Sequence, residues 1–129
     1  MKKIILSGKS GFIGNNILEE LMKSEYLVES VDLRKSKDDL ENNYSKKNFD
    51  VFIHAAGVHP HRAELSNINT FWKSKELLKK IEPIFANSKK VILISSFVNL
   101  INYNEEKISE TNKICSTKND NFYKKSKVL

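Results

Sequence analysis

The sequence contains few of the residues that mark cross-linked, repetitive or membrane-embedded proteins. Of its 129 residues, one is cysteine, two are proline and four are glycine. The single cysteine, Cys115, excludes a disulfide framework and makes a reducing cytoplasm the expected compartment. No apolar run approaches the roughly 20 residues of a transmembrane helix, and strand-like sequence already begins at Lys3, which leaves no room for a signal peptide. We therefore expect one cytoplasmic domain without a membrane partner.

Basic residues outnumber acidic residues, but the distribution of charge along the chain does not indicate a nucleic-acid partner. The chain has 22 lysines and arginines against 16 aspartates and glutamates, a net charge of +6. The basic residues are dispersed along the chain, and they are not interleaved with aromatic residues that could stack on bases. We interpret the excess as a solvated lysine-rich surface.

Apolar runs alternate with helix-patterned segments along the chain. The predicted strands are 3–7, 27–33, 51–56 and 91–95, and the predicted helices are 12–24, 37–47 and 64–86. Such alternation predicts parallel βαβ units, hence a three-layer α/β Rossmann-like fold with about four parallel strands. The expected strand order is 2-1-3-4, with 3-2-1-4 as the alternative.

Three of the four glycines, Gly8, Gly11 and Gly14, lie within seven residues between the first strand and the first helix. A strand, a glycine turn and a helix N-terminus in that order form a site for phosphate, because the first N–H groups of a helix are unpaired and point outward. The segment is not a P-loop, since the position five residues before Gly8 is Lys3 rather than glycine.

An acidic residue lies at the end of the second predicted strand, 18 residues after Gly14. In a dinucleotide-binding fold, a carboxylate at the position of Asp32 accepts hydrogen bonds from the adenosine ribose. It would also repel a 2′-phosphate, which favours NAD over NADP. Arg34, two residues further on, would weaken that preference.

A second group of candidate residues comprises Ser96, Tyr123 and Lys127. Tyr123 and Lys127 are four residues apart, on one face of a predicted helix. A neighbouring ammonium group stabilises tyrosinate and lowers the pKa of the phenol toward neutrality, which suits acid–base catalysis. Ser96 follows the fourth strand, where it could donate a hydrogen bond to a substrate oxygen.

Together these segments resemble the extended short-chain dehydrogenase/reductase family of nucleotide-sugar epimerases and dehydratases. The matching motifs are Gly8-x-x-Gly11-Phe12-Ile13-Gly14, the strand 51–57, the strand 91–96, and the Tyr123/Lys127 pair. The four motifs occur in the family's order across nearly the whole chain.

The resemblance implies a role for each matching residue. The three glycines would approach the pyrophosphate while Phe12 and Ile13 offer backbone N–H groups, and the small residues Ala55, Ala56 and Gly57 would pack against the cofactor. Lys127 would hold the nicotinamide ribose, and Tyr123 would exchange a proton with a sugar hydroxyl beside Ser96. The implied activity is NAD-dependent epimerisation, dehydration or reduction of a nucleotide-sugar.

The sequence also departs from that family. Family members continue beyond the Tyr/Lys helix into a substrate-binding domain, whereas this sequence stops at Leu129. We therefore expect residues 1–129 to form an incomplete dinucleotide-binding domain with an exposed strand edge that would allow homo-oligomers. The alternative function is a truncated, non-catalytic dinucleotide-binding module. A metal site is not expected, because His54, His59 and His61 have no cysteine or carboxylate at ligand spacing.

Overall fold

The computed structural model describes residues 1–57 and 68–94, which form four strands and three helices. In chain order these elements are β1 (Lys3–Ser7), α1 (Phe12–Met22), β2 (Leu27–Val31), α2 (Lys37–Tyr44), β3 (Phe49–His54), α3 (Ile68–Ala86) and β4 (Ser88–Leu93). Met1–Gly57 and Glu76–Ile94 make up one compact unit, which holds the whole sheet. The first residues of α3, 68–75, belong to a second unit.

The four strands form one parallel sheet in the order β2-β1-β3-β4. Ile5 of β1 lies opposite Phe52 of β3, and Phe52 lies opposite Val91 of β4. The predicted Rossmann-like α/β class and the order 2-1-3-4 are confirmed, and the alternative order 3-2-1-4 is wrong.

Both faces of the sheet are covered, which explains why its central strands are apolar almost throughout. On one face, Ile4, Leu6 and Ile53 pack against the apolar side of α1. On the other face, a larger cluster unites the sheet with α2 and α3; its buried members are Ile5, Val31, Leu40, Tyr44, Phe49, Phe52, Ile81 and Ile84. Because these strands are parallel neighbours, the carboxyl ends of β1, β2 and β3 lie together at one end of the sheet, which we call its carboxyl edge.

The element boundaries differ most from the sequence prediction at β4. This strand begins at Ser88, three residues before the predicted start at 91, and its first residues are polar. It lies at the edge of the described sheet, where it pairs with β3 through the backbone, and the exposed side chain of Lys89 donates to Asp50 of β3 at 2.7 Å. Hydrophobicity therefore gave no signal that the strand includes residues 88–90. Further along the strand, Ile92 and Leu93 are also exposed, as expected for an apolar edge.

The end of α3 is held by one polar side chain. The Nδ2 group of Asn87 lies within hydrogen-bond distance of three carbonyl oxygens, 2.8 Å from that of Pro83, 3.0 Å from that of Ser45 and 3.3 Å from that of Tyr44. Carbonyl groups at helix ends lack partners within the helix, so this amide joins the ends of α2 and α3. Within the described residues, no helix combines the length and apolar character needed to cross a bilayer.

Candidate functional site

The turn after β1 is shaped by close contact with the end of β3. Gly8 has a φ of +81°, a conformation that side chains rarely adopt. A Cβ atom at this position would also lie 2.5 Å from the Ala56 nitrogen and 2.6 Å from the Ala55 carbonyl carbon. Gly8 is therefore required by the fold itself, because no side chain fits between the two strand ends.

The other two glycines of the motif are under different constraints. A Cβ atom on Gly14 would overlap the carbonyl oxygen of Gly8, so Gly14 lets α1 pack directly on the turn. Gly11 has φ −83° and ψ 165°, which any residue can adopt. Among the described residues, a Cβ atom on Gly11 would meet only the Gly8 oxygen, at an ordinary 3.5 Å. Packing among these residues thus requires glycine at positions 8 and 14, whereas it does not require glycine at position 11.

The N-terminus of α1 is open, in contrast to that of α2. Gly11, the N-cap of α1, provides no side-chain hydrogen bond, and the first turn contains no acidic residue. At α2, the Ser36 hydroxyl accepts a hydrogen bond from the Asp39 amide, and Asp38 and Asp39 occupy the first turn. Among the described residues, no side chain therefore binds the first N–H groups of α1, and these groups, at the positive end of the helix dipole, can bind an anion.

The first two residues of α1 have exposed apolar side chains. Phe12 is 86% exposed and Ile13 is 47% exposed, although both begin a helix whose opposite side is packed on the sheet. Both residues belong to the first turn of α1. The region therefore combines unpaired amides with apolar surface, as sites for nucleotides do.

An ion pair follows β2 at the same edge of the sheet. The Nε and Nη2 groups of Arg34 donate to the two carboxylate oxygens of Asp32, each at 2.9 Å, and the Arg34 backbone amide donates to Oδ1 at 3.0 Å. The side-chain hydrogen bonds, followed by the backbone one, lower the pKa of Asp32 from 3.8 to about 2. Asp32 is therefore a carboxylate throughout the physiological pH range.

A buried polar pair, which the sequence interpretation did not identify, joins β1 and β3 beneath the glycine turn. The Ser7 hydroxyl and His54 Nδ1 are 2.6 Å apart, and both residues are buried. Next to them, the Ala55 amide donates to the Ser7 carbonyl oxygen at 3.1 Å. These contacts hold the residues before Gly8 against β3. The signal in the sequence was weak: two polar residues that each end an apolar strand.

The structure brings ten of the predicted site residues to the carboxyl ends of three adjacent strands. They are Gly8, Gly11, Phe12, Ile13 and Gly14 after β1, Asp32 and Arg34 after β2, and Ala55, Ala56 and Gly57 after β3. Ligands of open parallel sheets bind at this edge. The predicted catalytic residues Ser96, Tyr123 and Lys127 lie outside the described residues, as do Cys115, His59 and His61.

A cleft of about 580 Å³ opens at the opposite edge of the sheet, where the strands begin. Its walls include Lys3, Leu27, Glu29 and Phe49. Glu29 is already paired with Lys47 at 2.7 Å, and the cleft contains none of the predicted site residues. We assign the candidate site to the carboxyl edge, because the unpaired helix amides are there. Within residues 1–57 and 68–94, no three His, Cys, Asp or Glu side chains cluster to hold a metal.

Comparison with solved structures supports the fold. The chain aligns over 99% of its length with 46% of a UDP-Glc/GlcNAc 4-epimerase from Campylobacter jejuni, at a TM-score of 0.82 and 17% identity. It aligns equally completely with 46% of a UDP-glucose-4-epimerase from Stenotrophomonas maltophila, solved with NAD, at a TM-score of 0.71 and 15% identity. A GDP-mannoheptose C4 reductase from C. jejuni, solved with NADP, gives a TM-score of 0.79 and 14% identity over 98% of this chain and 44% of the reductase.

The chain thus has the fold of nucleotide-sugar epimerases and reductases, and it spans about half the length of these proteins. The predicted resemblance is confirmed at this level. No protein-family model matches the sequence, and a search of curated proteins finds no significant relative.

The glycine geometry predicts unequal effects of two alanine substitutions on folding. Gly14→Ala should lower the free energy of unfolding by about 1–3 kcal/mol or more, because the new methyl group overlaps backbone atoms. Gly11→Ala should lower it less, by no more than about 1 kcal/mol, since the methyl group makes an ordinary contact with the Gly8 oxygen and the loss is that of a glycine N-cap. Urea denaturation followed by circular dichroism measures both. Equal destabilisation by the two substitutions would contradict the assignment.

The ion pair predicts the titration of Asp32. In an NMR titration of its carboxyl carbon, the midpoint should lie at about pH 2, and Arg34→Ala should raise the pKa toward 3.8. Lys35→Ala, which removes only a weaker electrostatic influence, should raise it less. Because the folded-state pKa is lowered, any stabilisation from the pair is complete above about pH 4 and is lost as the pH falls toward 2. A midpoint near 3.8 in the unmodified protein would exclude the pair in solution.

Proposed function

We propose that this chain binds a nicotinamide dinucleotide at the carboxyl edge of its sheet. The observation that carries the proposal is the N-terminus of α1, which has no side-chain cap, combined with Gly11, where packing among the described residues does not require glycine. A pyrophosphate above Gly11 would accept hydrogen bonds from the amides of Phe12 and Ile13, at the positive end of the helix dipole. A side chain at Gly11 would occupy that space.

The neighbouring strand ends would bind the rest of the cofactor. Asp32 follows β2, where a carboxylate accepts hydrogen bonds from the hydroxyl groups of the adenosine ribose. Ala55, Ala56 and Gly57 follow β3, and their small side chains leave room for the cofactor beside the turn at Gly8. NAD remains the cofactor that Asp32 predicts in preference to NADP, since a carboxylate repels a 2′-phosphate.

We further propose that the protein containing this chain acts on a nucleotide-sugar, as an epimerase, dehydratase or reductase. The support is the shared fold of the UDP-sugar epimerases and the GDP-heptose reductase together with the Tyr123/Lys127 motif. When bound, nicotinamide supplies a hydride acceptor and donor. Tyr123 as a phenolate would take the proton of a sugar hydroxyl whose carbon loses hydride, and it would return that proton when hydride comes back.

Two other residues would assist Tyr123. Lys127 would keep the phenol ionised by placing a positive charge one helical turn away, and it would hold the nicotinamide ribose. Ser96 would donate a hydrogen bond to the sugar oxygen that Tyr123 deprotonates. A location in the cytoplasm, homo-oligomers and the lack of a nucleic-acid partner remain predictions from the sequence.

Binding is tested by titrating the full chain with NADH and following the nicotinamide fluorescence. Saturable binding is expected, and Gly11→Ala should weaken it by about tenfold or more, equivalent to about 1.4 kcal/mol per factor of ten, because the methyl group displaces the pyrophosphate. Asp32→Ala should also weaken it. Ser24→Ala, after the far end of α1, is the matched control and should leave it unchanged. Failure of NADH to saturate the protein would overturn the proposal. Saturable binding that Asp32→Ala leaves unchanged would overturn it as well.

Catalysis is tested separately, because the alternative is a non-catalytic dinucleotide-binding module. If the chain is an enzyme, NMR should detect C4 epimerisation of UDP-glucose or UDP-GlcNAc, or reduction of a 4-keto sugar nucleotide. Tyr123→Phe should then lower turnover by about 10²-fold or more while NADH binding persists, since only the proton-transferring oxygen is lost. Binding without turnover of any of these probes would favour the non-catalytic module.

A further inference from the structure

The cleft at the amino ends of the strands has the size of a small-molecule site. Its volume of about 580 Å³ lies within the range of about 300–1,000 Å³ that is typical of ligand pockets. Three separate segments line it: the start of β1, the start of β2, and residues 46–49, which lead into β3. It shares no residue with the proposed dinucleotide site, so a ligand in this cleft would make contacts of its own.

Part of the lining is apolar, and one apolar side chain there is largely exposed. Ile4 and Phe49 line the cleft and are almost fully buried by the protein. Leu27, in contrast, is 52% exposed although it begins a strand of the sheet, and the adjacent Val28 is half-buried. Covering such surface with an apolar ligand is favourable, because it removes the surface from water. The cleft therefore suits a ligand with an apolar body.

The charged residues of the lining carry an excess of positive charge. Lys3, Lys46 and Lys47 line the cleft together with a single acidic residue, Glu29. Lys47 pairs with Glu29 at 2.7 Å, and its ammonium group lies 5.1 Å from the centre of the Tyr44 ring. Neither Lys3 nor Lys46 has an ion pair within the part of the chain that the structure describes. Two positive charges at the cleft thus have no acidic partner there.

Asn48 adds hydrogen-bond donors beside Lys46. Its side chain is exposed at the cleft, and its amide makes no hydrogen bond to any other residue in 1–57 or 68–94. An asparagine amide has two N–H donors, and an ammonium group has three. A carboxylate or a phosphate accepts hydrogen bonds from both kinds of donor, and those from a charged donor are the stronger ones.

We propose that this cleft binds a small amphipathic anion, a molecule with an apolar body and one carboxylate or phosphate group. The apolar body covers Leu27 and Val28, and the anionic group binds Lys46 and Asn48. This second site goes beyond the proposed dinucleotide function and does not rest on it.

The site is tested with 2-naphthoate as the probe, by recording backbone amide shifts of the ¹⁵N-labelled full chain. Saturable shifts are expected at residues 27–29 and 46–49, with residues 8–14 unaffected. The dissociation constant should be about 1 mM or lower, as for a ligand of about 13 non-hydrogen atoms. Naphthalene-2-methanol, the uncharged analogue, should bind at least about threefold more weakly, and acetate should not saturate the cleft at about 10 mM. A parallel titration with 2-naphthyl phosphate decides which anionic group the cleft prefers.

Two substitutions separate the charged contact from the apolar one. Lys46→Ala should weaken 2-naphthoate binding by about threefold or more and leave naphthalene-2-methanol unchanged, since only the anion loses a partner. Leu27→Ser should weaken both probes by about threefold or more, because both lose apolar contact. Lys37→Ala is the matched control: it removes the same charge at the first residue of α2, away from the cleft, and should change neither affinity.

The other possible results each exclude the site as proposed. Shifts centred on residues 8–14, or no saturation by either naphthyl anion, would mean that the cleft does not bind this class of molecule. Equal binding of 2-naphthoate and naphthalene-2-methanol would exclude the charged contact, as would equal effects of Lys46→Ala and Lys37→Ala. Saturation by acetate in the same concentration range would exclude the apolar contact. The dinucleotide proposal would stand in all of these cases, because its own residues lie at the carboxyl edge.

Discussion

The candidate site depends on the contact between the backbone of Gly8 and the backbone of Ala55 and Ala56. No side chain can separate these segments, so the turn after β1 lies directly on the end of β3. The buried Ser7–His54 pair maintains the same approach one residue earlier. The position of α1 follows, because Gly14 packs on the carbonyl oxygen of Gly8. The close contact of Gly8 with the end of β3 thus fixes the position of α1 and of its N-terminus.

Electrostatics at this edge of the sheet combine two opposing elements. The N-terminus of α1 is positive and has no acidic cap, which favours an anion. Asp32 adds a permanent negative charge after β2, but Arg34 neutralises it through three hydrogen bonds. A ligand with both a pyrophosphate and a ribose fits this arrangement, since the phosphate and the sugar meet groups of different charge. In the proposed function, the glycine motif and the acidic residue would act as parts of one recognition surface.

Much of the fold could be predicted from sequence, because short, strongly apolar segments are recognisable as buried strands. The bounds of β1 agree with the prediction, and the parallel pairing follows from the alternation of helices and strands, which left two strand orders open. The start of β4 was missed, since Ser88–Lys90 are polar and join β3 through backbone pairing and the Lys89–Asp50 ion pair. Within the site, glycine spacing pointed to a phosphate but could not distinguish Gly11 from Gly8 and Gly14. That distinction requires the positions of the atoms around each glycine.

The central claim is that a dinucleotide binds at the carboxyl edge of the sheet, on the open end of α1. Backbone amide chemical shifts of the ¹⁵N-labelled chain, recorded during addition of NAD⁺, test this most directly. The account predicts saturable shifts concentrated at Gly8–Gly14, Asp32 and Ala55–Gly57, with Lys46–Phe49 at the opposite cleft unaffected. Shifts centred on Lys46–Phe49, or none at saturating NAD⁺, would contradict it.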